Sequence, residues 1–207
     1  MHRRILLAGL AAAAAGPALA RAPRGLWFDP TQLPSYSGRL ERWLLNPAGE
    51  VTRALLREGT QIIFPASEAD ALMGAVKQDE TLTAYGVRAR TAPVVIMLAW
   101  SRTDSEPANF VANPSWFASD QAGTQELSVQ GKMRVALLSP QGEAMGVITE
   151  DGDVIRLPIG ANDKLGWLRP GADVAAAGLG TRREDRLALD AVRIGPAPDR
   201  LEAVPQP

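Results

Sequence analysis

The sequence predicts an all-β chain: two consecutive units, each of five strands with one short helix. Three observations lead there. They are an internal repeat at a spacing of 93 residues, turn chemistry that recurs at matching positions, and apolar runs of strand rather than helix length. "LLNPAGEV" at residues 44–51 and "LLSPQGEA" at 137–144 mark the repeat. Around them, residues 38–65 align without a gap to 131–158, and nine of these 28 positions are identical. After a one-residue gap, "VKQDETLTAYGVRAR" matches "LRPGADVAAAGLGTR", with Gly86 opposite Gly178. Each unit then ends on an apolar run, "VVIMLAW" or "LALDAVRIG".

The elements follow in order. Residues 40–45 and 51–56 mix apolar and charged positions at strand length. Between them, Asn46 favours the first turn position through its side chain, Pro47 presets φ at the second, and Gly49 tolerates the positive φ that follows. This predicts a type I turn closed by a glycine bulge, joining antiparallel strands. Ser139, Pro140 and Gly142 repeat the chemistry. Glu58-Gly59 and Asp151-Gly152 make the next hairpins, leading into "TQIIFP" and "DVIRLP". A helix follows in the first unit, with Ser67 and Asp70 at its start and Leu72, Met73 and Val76 on one face up to Lys77. The second unit has a weaker version over 162–168, with Leu165 and Leu168 as its apolar positions. A turn, a fourth strand and the apolar fifth strand complete each unit.

This order, and the turn–strand–Gly entry to strand four ("KQDETLTAYG", "RPGADVAAAG"), resembles the OB-fold, a five-stranded Greek-key barrel. The chain is similar to exported, largely uncharacterised bacterial proteins that carry such modules in tandem. SH3-like barrels are the alternative, and they would not need the helix after strand three. The domain boundaries are then a signal segment 1–20, an extension 21–36, a first barrel 37–101, a linker 102–129, a second barrel 130–195 and a tail 196–207. Phe110, Val111, Trp116 and Phe117 are too apolar for a solvated linker and are expected to pack on a barrel.

"MHRRILLAGLAAAAAGPALA" has a basic start, an apolar run too short to span a bilayer, and a small-residue site after Ala20. This is the layout of a signal peptide, which predicts a periplasmic or secreted protein. Arg3-Arg4 leaves twin-arginine export as an alternative to the general route. Removing the segment takes away the only histidine, His2; the chain has no cysteine. It also leaves 20 basic against 23 acidic residues, a net charge of −3. No Ser-His-Asp triad, Cys-His pair or ordinary zinc site can be built from what remains. No cofactor motif is present, and the expectation is a protein that is not an enzyme. The adjacent carboxylates Asp79-Glu80 and Asp151/Asp153 fall in turns, where such residues are common for structural reasons.

The OB resemblance implies a ligand face on strands two and three and on the flanking loops. It would place Arg53, Arg57 and Gln61 near that face in the first unit, with Arg88 and Arg90 at its four–five loop. The second unit would present Arg156, with Arg182, Arg183 and Arg186 at its own four–five loop. Guanidinium groups suit phosphate or carboxylate partners. The slightly acidic chain and the scarcity of stacking aromatics argue against nucleic acid. The expectation is a binding protein for a protein partner or an envelope polymer, the alternatives being a structural spacer in an envelope assembly or a nucleic-acid binder. Glu50 and Glu143 are not explained by turn geometry.

Overall fold

The structure, a computed structural model, describes residues 28–103, 105–118 and 121–206. The predicted signal segment and its cleavage point lie outside the described residues. The first unit runs β1 (Ser35–Leu45), β2 (Val51–Leu56), β3 (Gln61–Ile63), α1 (Ala69–Ala75), β4 (Thr81–Arg88) and β5 (Val94–Ser101). Strand β1 pairs antiparallel with β2 and β4, β2 with β3, and β4 with β5. A parallel pairing of β3 with β5 then closes the sheet into a barrel. After β6 (Asn109–Phe110), the second unit repeats the plan with β7 (Gln125–Leu138), β8 (Ala144–Thr149), β9 (Val154–Arg156), α2 (Ala161–Lys164), β10 (Asp173–Arg183) and β11 (Arg186–Gly195). Here β9 and β11 make the parallel closure. The chain is therefore two closed five-stranded barrels in tandem, with OB-fold-like topology.

The turns form as their residues dictate. Gly49 and Gly142 have φ of +84° and +94°, and each donates its N–H to the residue opening the turn, Asn46 or Ser139. Glu50 also finds its role here, because Asn46 Nδ2 donates to Glu50 Oε2 at 2.9 Å and braces the turn. Ser139 has no amide to offer, and Glu143 is exposed. The helix entry differs from expectation. Ser67 makes no cap; the chain enters α1 through a 3-10 turn over Ala66–Glu68, with Glu68 N–H donating to Pro65 O. Leu72 and Val76 are fully buried beneath α1, as the helical spacing predicts.

The repeat also extends past its legible end. Residue 111 donates its N–H to Leu98 O beside β6, and Val204 does the same to Val192 O beside β12 (Glu202–Ala203). Both sixth strands pair antiparallel with the fifth at equivalent places. Val111 is buried, but Phe110, Trp116 and Phe117 are 59 %, 42 % and 78 % exposed, against the expectation that they pack on a barrel.

Candidate functional site

The barrels meet through the repeated turns. Thr181 Oγ1 donates to Pro47 O at 2.8 Å, and Gly49 lies against the side chains of Thr181 and Arg183. Reciprocally, Gly142 lies against Ala89 and Ala92. The strand registers make Gly142 the counterpart of Gly49, and Ala89 the counterpart of Thr181. Each one–two turn therefore docks on the four–five hairpin of the other barrel, the geometry of a two-fold interface folded into one chain.

This docking encloses the strand two–three side of the first barrel. Ile63 and Val94 pack with Ala92 and Leu138, while Ile148, Val154 and Ala188 of the second barrel join the apolar cluster of the first. Arg53 and Gln61, expected on an open ligand face, are instead 9 % and 1 % exposed. The register of β7 against β8 shifts between Ala136 and Leu138, where a bulge leaves backbone groups without ladder partners. Gln61 Nε2 donates to Ala136 O at 2.7 Å, and Gln61 Oε1 accepts from Leu138 N–H at 3.1 Å. Arg53 Nη1 donates to Gln61 Oε1 at 2.6 Å and to Leu138 O at 2.8 Å. These two side chains fasten β7 to the first barrel.

The remaining predicted residues are dispersed. Arg57 is ion-paired with Asp79, and its carbonyl accepts from Arg134 Nη2 at 2.9 Å. Arg88 is exposed, 6.0 Å from the Tyr36 ring centroid, and Arg90 is exposed in the four–five loop. Arg156 binds Asp190 with two nitrogens and donates to Gln121 O at 3.1 Å. Arg182 and Arg183 are exposed on the β10–β11 hairpin, beside the turn of the first barrel. No single groove gathers them.

What the fold does bring together is a cleft of about 480 Å³ between the barrels, lined by Arg42, Trp43, Lys77, Asp151, Asp185 and Arg186. Trp43 packs edge-on against Phe64, with ring centroids 5.8 Å apart. The Arg42 Nε is buried without a hydrogen-bond partner and lies 3.9 Å from Glu41 Oε1. Arg186 reaches Glu184 and Asp185 only at 3.8 and 3.9 Å. An indole among loosely paired charges of both signs can hold a polar ligand. Sequence reasoning missed Arg42 and Trp43 because they sit mid-strand, with no signal for which face the second barrel would border.

Asp153 follows the cleft-lining Asp151 and Gly152 in the chain, and its Oδ1 accepts from Leu187 N–H at 3.1 Å. Burial raises its pKa above 3.8, opposed by the Leu187 bond, Arg182 and Arg42 and reinforced by Asp151. The folded state thus holds the proton more tightly than the unfolded chain, so this carboxyl favours folding below pH 3.8 and loses that advantage as pH rises toward its folded value. Asp153→Asn keeps an acceptor for Leu187 and cannot ionise. The variant is expected to melt higher than the parent at pH 7 and level with it near pH 3; an equal gap at both pH values would refute the assignment.

Among the described residues no helix is long and apolar enough to cross a membrane, and no group of three or more His, Asp or Glu side chains is placed to hold a metal ion. The chain matches no protein-family model, no curated protein and no solved structure.

Proposed function

We propose that this is an exported, non-enzymatic binding protein that engages a protein partner through aromatic side chains of the segment joining the barrels. The observation that carries this reading is the exposure of Phe110, Trp116 and Phe117 within eight residues of chain. Large aromatics left in water mark contact surfaces, and Trp and Phe are enriched at interface cores. The two-barrel body, with its own strand two–three face used internally, then acts as a rigid mount for that segment. The signal-like first twenty residues support an envelope destination.

The test is a double variant, Trp116→Ser with Phe117→Ser. Both side chains are exposed, so its stability is expected to stay within about 0.5 kcal/mol of the parent. Chemical cross-linking in intact cells is expected to give a discrete heteromeric adduct with the parent and none with the variant. The mature N-terminus recovered from the envelope is expected to be Arg21. An undiminished adduct in the variant would remove the aromatic segment from the contact.

A second reading rests on the cleft at Trp43: its volume and mixed charges suit a polar segment of an envelope polymer. Trp43→Ala would then abolish retention on immobilised envelope glycan, whereas the double aromatic variant would not.

A further inference from the structure

The junction between the barrels contains a cation, Arg53, that the repeat does not reproduce in the second barrel. The strand registers put Gly146 and Val154 of the second barrel where the first has Arg53 and Gln61, so the barrel itself closes without an arginine there. Both hydrogen bonds of Arg53 leave from Nη1, and both acceptors, Gln61 Oε1 and Leu138 O, are neutral. Among the described residues no carboxylate pairs with it. Burial pushes its guanidinium down to about 10, which still leaves it charged at neutral pH. A buried cation whose partners are all neutral carries an uncompensated desolvation cost.

Arg53 also borders a cavity of about 40 Å³, whose other walls include Asn46, Thr52, Leu137, Met145 and Arg156. A single water needs roughly 10–15 Å³ by the same measure, so the space holds about three waters, or one small ion with a water beside it, and is too small for a nucleotide or a sugar. Arg156 is already neutralised by Asp190, yet it adds a second guanidinium to the wall. Asn46 contributes polar surface, and its own amide is turned toward Glu50.

We propose that this cavity binds one small monovalent anion, of chloride size, against the Arg53 guanidinium at the junction of the two barrels. The anion supplies the counter-charge that neither barrel provides, and its occupancy stabilises the docked arrangement. Ligand binding to the folded state raises stability in a saturable way, by mass action.

The experiment uses the full mature chain. Thermal unfolding is followed at constant ionic strength while chloride replaces gluconate, which is too large for the cavity. The parent is expected to gain thermal stability with chloride along a saturating curve, and Arg53→Met is expected to lose that dependence. Crystals of the parent soaked in bromide are expected to show one anomalous peak against Arg53. Equal melting in both salts, a chloride effect that persists in Arg53→Met, or no bromide peak at the junction would each overturn the proposal. The bromide measurement needs only the parent protein, so it decides the matter even if Arg53→Met does not fold.

Discussion

Gln61→Leu is expected to lower the stability of the protein by about 3–5 kcal/mol. Gln61 is 1 % exposed and satisfies three groups at once: the Ala136 carbonyl, the Leu138 amide and the Arg53 guanidinium. Leucine fills the space but leaves all three without that partner. A buried backbone group stripped of its bond costs about 1–3 kcal/mol, and a charged donor more. At about 2–4 °C per kcal/mol for a chain of this size, the melting temperature should fall by roughly 10–15 °C. The double variant Arg53→Leu, Gln61→Leu is expected to recover part of the loss, because it no longer buries an unpaired charge. Strictly additive losses would show that the two side chains act separately and would refute the fastening role assigned to them. Differential scanning calorimetry of the two single variants, Gln61→Leu and Arg53→Leu, and of the double variant provides the measurement.

Gly86→Ala should be nearly as damaging, at about 3 kcal/mol or more, and Gly178→Ala equally so. At each of these positions the register of the strand pair breaks, and a Cβ would lie closer than 3.0 Å to a backbone carbonyl oxygen, that of Ile96 or of Asp190. A backbone oxygen held in a barrel wall cannot rotate away as a flexible side chain can. Gly74→Ala is the control: it sits in α1 with open space around it, so alanine should stabilise by roughly 0.5–1 kcal/mol through helix propensity. Urea unfolding checks all three, with midpoints expected to fall for Gly86 and Gly178 and to rise for Gly74. An unchanged midpoint for Gly86→Ala would mean that the strands can separate there without cost.

The pairing of Gly86 with Gly178 was legible from the repeat, because identical residues kept at one register position need a shared physical reason. The turns at residues 46–49 and 139–142 were legible for a simpler one: Asn or Ser, Pro and Gly set local dihedral angles with no help from elsewhere. The apolar run "VVIMLAW" held a further clue. Every position of β5 is buried, the mark of a strand covered on both sides, so something had to lie against the outside of the first barrel. What covered it was not written in the run. Arg53 and Gln61 look like ligand-facing polar groups in sequence, and they become interface groups only because a bulge in β7, some 75 residues away, exposes backbone that needs them.

The exposed aromatics show the reverse case. Paired Trp116 and Phe117 suggest burial by their composition, but burial requires a surface to receive them, and the barrels spend theirs on each other. The sequence by itself determined the strands, the hairpins, the duplication and the barrel class, since each depends on near-neighbour sterics and on the period of apolar residues. The tertiary structure alone decided which faces are free. That outcome depends on how two barrels present their outer surfaces to one another, and no local dihedral preference or periodicity encodes it. The repeated Leu-Leu-x-Pro-x-Gly-Glu turn belongs to both levels: its shape is local, and its docking on the opposite barrel is tertiary.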